Sequence, residues 1–479
     1  MISHELDIVI QGGTMITMDP DRRILRDGAI GIKDGKIVAI EACGDDIGSA
    51  SQVINAHGSI VLPGIVDSHG HAGHSLTRGF GDGEHSGGWY AFANRLYFEF
   101  SDVWFWEAES RLAALERLRF GITTSVSMTG SFPRIDDAKY AIAASVGYRE
   151  LGLRHIAAAG PPTELRETRR YVEHMPDGSQ RVHEVDLDRA LRVTEDLVQA
   201  YRDLDHPRVQ FYVGPSQISP TDDPGDPFTR RQVNGVQDIV EKYNAGLHTH
   251  ATAGQVGAAY AIRPDMLRPG VSMAHCSGVT SEEITIMAKT GVSAISGPLT
   301  HAYITMRFPL MEALDAGVNA VFATDGSAPD RSFDLIDQAR IGVQLQRVHF
   351  NDASLIPAGK ALAMITIDAA KALGMEDEVG SLEVGKRADV TLIDARQPHL
   401  APEILAPLRV IGHASGQDVH TVIVDGQILM LNREIPGVDQ DAIMDDAKAA
   451  LDAAWSRAGF GDMEQLHPDT WFGLRYREI

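Results

Sequence analysis

The stretch Ile60–His71, IVLPGIVDSHGH, decides how this chain is read. It starts as an apolar, β-branched run and ends on two histidines one residue apart. Alternate residues of an extended strand point to the same side, so His69 and His71 face one point together. Two imidazoles at one point suit a zinc-like metal. On its own such a pair is a weak signal. Its meaning depends on whether other apolar runs end in the same way.

They do. GITTSVSM, LRHIAAAG, RVQFYVG, AGLHTH, VSMAHC, GVSAIS and GVNAVFATDG follow before about residue 373. Between them lie stretches with helical spacing, such as FWEAESRLAALERLRF and SEEITIMAKT. Strand-like runs alternating with helices predict an α/β fold, a parallel (β/α)8 TIM-type barrel, with a doubly wound sheet as the alternative. AGLHTH ends in His248 and His250, VSMAHC carries His275, and GVNAVFATDG leads to Asp325. In a barrel these are the C-terminal strand ends, where active sites form. Converging histidines and a carboxylate make a metal centre the expected chemistry. His57, His74, His85 and His301, taken singly, read as structural or solvent-facing histidines.

Both chain ends have a different texture. GAIGIKDGKIVAI is a hairpin signal around Asp34-Gly35, and DVTLIDA and HTVIVDGQIL far downstream share it. The expected organisation is a small β-sandwich domain built from residues 1–59 and 381–435. It brackets a barrel over 60–380 and is followed by a C-terminal helix and aromatic tail over 436–479.

Composition narrows the function. The 479 residues carry a formal net charge of -23, which disfavours nucleic acid and anionic membranes. The two cysteines, Cys43 and Cys276, exclude a disulfide framework. No signal-peptide pattern and no run of ~20 apolar residues is present, so a cytoplasmic protein with a small-molecule substrate is expected. GSLEVGKR matches the spacing of a phosphate-binding loop, but Arg387 stands where Ser or Thr must hold Mg²⁺.

PGIVDSHGH followed by Arg78-Gly79 resembles the first barrel strand of the metal-dependent amidohydrolase superfamily. More narrowly it resembles the cytosine, guanine and adenosine-type deaminases and the s-triazine hydrolases. GPSQISPT, AHCSGVTSEEI, GVSAISGPLTHAYI, GVNAVFATDG and IDAAKALGMEDEVGSLEVGKRADVTLID continue the resemblance in order along nearly the whole chain. It departs at Ser216, where a histidine is usual, and at His301, where an asparagine is common. The resemblance implies that His69, His71, His250 and Asp325 hold one divalent metal, zinc first, with iron, cobalt or manganese as alternatives. It implies His275 and Asp325 as catalytic groups and a homo-oligomer. Residue parity alone leaves His248 and His250 open; the resemblance points to His250. Trp89, Gln217, His248 and His301 are the expected substrate contacts. No lysine lies in RVQFYVG, so a bridging carbamylated lysine on that strand is not expected.

The implied reaction is hydrolysis of a carbon–nitrogen bond in an amide, urea, carbamate or aminoheterocycle. The alternatives are a heteroaromatic deaminase or chlorohydrolase of the s-triazine type, and a lapsed barrel that only binds small molecules. In the deaminases of this group a glutamate stands three residues after the fifth-strand histidine. Here that residue is Ala253, which transfers no proton. Gln255 donates a hydrogen bond without titrating. Glu84, His85 and Glu164 lie in expected rim loops as possible substitutes. The Gly-rich and aromatic loop FGDGEHSGGWYAFANRLYFEF is a candidate lid.

Overall fold

The computed structural model describes residues 6–42, 47–80, 86–130, 134–163, 165–175 and 177–460. In it the opening stretch splits at Gly64. Ser59–Pro63 is a strand of a small six-stranded sheet, and Ile65–Asp67 is the first strand of the barrel, β1. The one apolar run therefore serves two sheets. A Cβ on Gly64 would stand 2.0 Å from Thr123 Oγ1, so a residue with no side chain is needed where the chain passes between them.

The barrel strands that follow are β2 Ile122–Thr129, β3 Arg154–Ala159, β4 Val209–Val213, β5 Gly246–Thr252, β6 Ser272–Ser277, β7 Ser293–Ser296 and β8 Asn319–Phe322. Each pairs in parallel with the next. Each of those apolar runs overlaps one of them. At the seam, Thr324 N donates to Asp67 Oδ1 at 2.9 Å and Asp325 N to His69 O at 3.1 Å. These contacts bring the ends of β1 and β8 together and make the ring nearly closed.

Local chemistry sets the helices between strands. Asp102, Asp186, Asp226 and Asp334 each accept a backbone N–H of the first turn, and Asn244 and Asn351 close helices in the left-handed conformation. Helix Leu187–Leu204 buries Leu187, Ala190, Val193, Thr194, Leu197, Val198 and Tyr201. That three- and four-residue spacing lays one apolar stripe on the sheet.

A four-stranded sheet (order 36–41, 29–33, 6–11, 50–55) and the six-stranded sheet draw on both chain ends. Ile8, Ile10, Ile30 and Ile32 from one and Val61, Val390, Leu392 and Ile423 from the other share a second apolar core. The Asp34-Gly35 turn has φ of +49° and +77°, which glycine adopts at no steric cost. Arg154 of β3 ties the barrel to this part of the chain through Asp389 and Asp425, at 3.2 and 2.7 Å.

The C-terminal helix, Gln440–Ala458, is capped by Asp439 and buries Ala447, Ala450, Ala454 and Trp455. Trp455 stacks on Phe80 at 4.8 Å, so the helix covers the segment that leaves the first barrel strand. The tail from residue 461 lies outside the described residues, as do Glu84, His85 and Glu164. Among the described residues no helix is long and apolar enough to cross a membrane.

Candidate metal centre and its cavity

His69 and His71 extend β1 at the C-terminal rim, and His71 pairs with Met128 of β2. His71 Nδ1–H donates to Gly130 O at 2.8 Å, and His250 Nδ1–H donates to Ser216 O at 2.7 Å. Both rings are thereby fixed with Nε2 turned inward. His69 Nδ1 faces His248 Nε2 at 2.9 Å, which leaves His69 Nε2 buried with no hydrogen-bond partner among the described residues. His71 and His250 bring their Nε2 atoms to 3.3 Å of each other. Asp325 Oδ1 lies 3.4 Å from His69 Nε2 and 3.3 Å from His71 Nε2.

Three imidazole nitrogens and a carboxylate oxygen thus converge, each held from behind, as a tetrahedral cation requires. Like-facing lone pairs at such distances repel unless a cation or proton lies between them, so the residues fit a divalent metal. His69, His71 and His250 form one group whose ligand atoms lie within 4.8 Å of one another, and His69, His275 and Asp325 form another. His248 lies beneath this set. Its second nitrogen, Nδ1, meets Ser272 Oγ at 2.8 Å, so both its nitrogens are engaged.

Burial sets the protonation states. It pushes His69, His248 and His250 below the ordinary imidazole range and His275 down to about 3. These rings stay neutral at pH 7 and keep the lone pairs a metal takes. Burial opposes ionisation of Asp325, but the His69 and His71 rings beside it outweigh this and hold the carboxyl well below its usual value. Its other contacts are Gly326 N to Oδ1 at 2.7 Å and Thr300 Oγ1 to Oδ2 at 2.5 Å. His275 stacks on His250 at 5.1 Å and places Nε2 3.9 Å from Asp325 Oδ2. His275 and Asp325 have φ of +65° and +62°. Left-handed backbone at non-glycine residues costs of order 1–3 kcal/mol each and concentrates at functional sites.

A cavity of about 90 Å³ opens over this centre. His71, His250, His275 and Asp325 form its floor side, and Trp89 and Gln217 stand in its wall. His248 is outside it. His301 lies outside too, packed 5.8 Å from the His275 ring and lining a neighbouring apolar cavity of about 360 Å³. The wall also holds residues that the sequence reading did not single out for a site: Thr300, Arg331, Tyr90, Tyr303 and His74. Arg331 comes six residues after Asp325, and a charge in a rim loop is the weak signal that marks it.

Ala253 sits exposed in the turn after β5, with its N–H on Ser277 O at 3.0 Å. The carboxylate of Glu283 is close in the chain fold but committed. It accepts the N–H groups of Gly254, Val256 and Gly257 at 3.0, 3.0 and 3.2 Å and caps the helix there. Gln255 Oε1 accepts from Thr252 N at 2.8 Å.

The Amidohydrolase family model matches residues 60–429. The chain is 29% identical over 468 residues to a 5'-deoxyadenosine deaminase of Methanosarcina acetivorans, covering 94% of this chain and 99% of that one. It is 30% identical over 440 residues to a 5-methylthioadenosine/S-adenosylhomocysteine deaminase of Moorella thermoacetica, covering 88% and 94%. In fold it is similar to an adenosine deaminase from Xanthomonas campestris solved with bound zinc, with TM-score 0.80, 22% identity, and 94% and 99% coverage. It is also similar to atrazine chlorohydrolase from Arthrobacter aurescens complexed with zinc, with TM-score 0.76, 24% identity, and 93% and 100% coverage. The chain belongs to the Amidohydrolase family and is a metal-dependent hydrolase acting on carbon–nitrogen bonds.

Proposed function

We propose that the chain holds one zinc ion through His69, His71, His250 and Asp325 and hydrolyses a carbon–nitrogen bond of a small planar aminoheterocycle, amide, urea or carbamate. The observation behind this reading is the convergence of three inward Nε2 atoms and the Asp325 carboxylate beneath a small cavity. The deaminases among its relatives support the bond type.

A bound zinc ion supplies a Lewis acid and lowers the pKa of its water towards ~7. The chain's own groups do the rest. Asp325, ionised and steadied by Thr300, takes a proton from the attacking water and passes it to the leaving nitrogen. His275, neutral and aimed at the same point, hydrogen-bonds the substituent on the attacked carbon. Trp89, Tyr90 and Tyr303 give the cavity aromatic walls that suit a flat substrate and exclude water. Ala253 offers no acid beside the fifth strand, so substrates that need no ring protonation from that side are favoured.

Elemental analysis of the purified chain, followed by ammonia and amine release across amides, ureas, carbamates and aminoheterocycles, tests this. One zinc per chain and nitrogen release are expected. A chain that neither contains nor takes up a divalent metal would sink the reading and leave a binding barrel. Ala253 also favours a second reading, displacement of halide from a heteroaryl ring, because a halide leaves without a proton. Chloride release in place of ammonia or amine would identify it.

A further inference from the structure

The cavity over the metal centre contains a permanent cation as well as the metal-binding groups. Arg331 lines it and is 8% exposed. Its guanidinium donates through Nη1 to Thr300 Oγ1 at 2.6 Å and through Nη2 to Ala328 O. Both acceptors are neutral oxygens. Its Nε has no hydrogen-bond partner among the described residues, and the nearest carboxylate oxygen, on the half-exposed Asp330, stands 3.8 Å away.

Arg409, 4% exposed and outside the cavity, also rests on neutral oxygens, the carbonyls of Leu400 and Ala395 at 2.7 and 2.6 Å, but three other deeply buried arginines are served differently. Arg117 has Asp67 at 3.3 Å, Arg134 has Asp136 at 3.0 Å, and Arg154 has Asp389 and Asp425 at 3.2 and 2.7 Å. A buried guanidinium offers five N–H groups and is costly to desolvate without an anionic partner. Arg331 spends two of these groups on neutral oxygens, and among the described residues no carboxylate stands closer to it than that of Asp330, at 3.8 Å, farther than those of the other three.

We propose that Arg331 is the specificity-determining residue of the cavity, and that it selects substrates carrying an anionic oxygen, a carboxylate or the ionised oxo group of a ring, beside the bond to be cleaved. This deepens the reading above and rests on it. Thr300 links the two halves of the site, accepting from Arg331 and donating to Asp325. Substrate anchoring and the metal carboxylate are therefore held in one frame. Arginine's planar fork matches such an oxygen pair, whereas lysine's point charge does not.

The test uses the metal-loaded chain and a matched pair of probes, benzoate and benzamide, with binding followed by calorimetry. Wild type should prefer benzoate. Arg331→Gln should weaken benzoate roughly tenfold to hundredfold and leave benzamide unchanged, with zinc content unchanged. Arg331→Lys should fall between. Repeating the titration on metal-stripped wild type separates the contribution of Arg331 from binding of the carboxylate to zinc; the preference for benzoate should persist. The proposal is overturned if wild type binds the two probes alike. It is also overturned if Arg331→Gln weakens both equally, or if that variant loses its zinc, since Arg331 would then serve only the metal frame. Absence of zinc from wild type itself would instead strike the metal reading and leave the stripped-protein comparison standing.

Discussion

His248 Nε2 stands 2.9 Å from His69 Nδ1, and the far side of the same ring meets Ser272 Oγ at 2.8 Å. A hydrogen-bond chain from β6 through β5 therefore sets the ring orientation and tautomer of a histidine just past β1. His248 and His250 lie one residue apart and divide the work: one offers Nε2 to the centre and the other steadies its neighbour. His248→Ala is expected to weaken zinc about 10–100-fold, as loss of such a support does. His250→Ala is expected to abolish stoichiometric zinc. Chelator competition on the two variants checks this, and equal zinc loss in both would contradict it.

Thr300→Val removes the hydroxyl that donates to Asp325 Oδ2 at 2.5 Å while keeping the side-chain shape. The carboxylate loses the partner that aims it. Turnover should drop roughly 10–100-fold with zinc still bound. Metal analysis beside steady-state kinetics makes the comparison, and unchanged turnover would show that Asp325 needs no such steadying.

Ala253 is exposed in the turn after β5, and a Cβ added at its neighbour Gly278 would make only ordinary contact with it, at 3.6 Å. Ala253→Glu should fit without loss of folding and should not be required for activity on the native substrate. Assays of both proteins on the substrate identified by screening settle the point. Activity confined to the glutamate variant would refute it.

Much of this arrangement was legible in the sequence for a physical reason. Strand ends repeat a pattern, apolar run then ligand, and parity on β1 puts His69 and His71 on one side. What could not be read was anything set by tertiary contact. The choice between His248 and His250 depends on which ring lies under His69, since both have the same parity. Thr300, on the helix Pro298–Tyr303, meets Asp325 and Arg331 from the loop after β8, and no local spacing marks such a meeting. Gly64 reads as an ordinary loop glycine until Thr123 is seen against it.

Buried imidazoles make the metal-free chain sensitive to acid. His155 lies outside the centre, stacked on Tyr148 at 3.7 Å, and burial together with Arg117 holds it well below the ordinary range. Burial pushes His301 down to about 4 and His275 to about 3. In the unfolded chain each binds a proton near pH ~6.5. Between those limits the unfolded state binds more protons, so stability rises with pH. It should fall as pH drops below ~6.5 and stop falling on account of His301 and His275 once pH passes about 4 and about 3. Urea midpoints of the metal-stripped chain at pH 7.5, 6 and 5 report this. A midpoint that stays level over that range would count against neutral buried rings.

The passage from the small sheet into the barrel depends on Gly64. A Cβ there would meet Thr123 Oγ1 at 2.0 Å, Cγ2 at 2.5 Å and Cβ at 2.7 Å, all on β2. Its backbone is not in the left-handed region, so the cost of Gly64→Ala is overpacking alone, about 1–3 kcal/mol. Thr123→Ala removes the two nearest atoms, and the contact at the remaining Cβ still requires a small shift. Gly64→Ala should therefore cost less in the Thr123→Ala background than in wild type, and a double-mutant cycle of urea unfolding measures the difference. Strict additivity would mean that the strand shifts away from Thr123 instead. The displaced residues would then include His69, five positions on, and zinc affinity would fall together with stability.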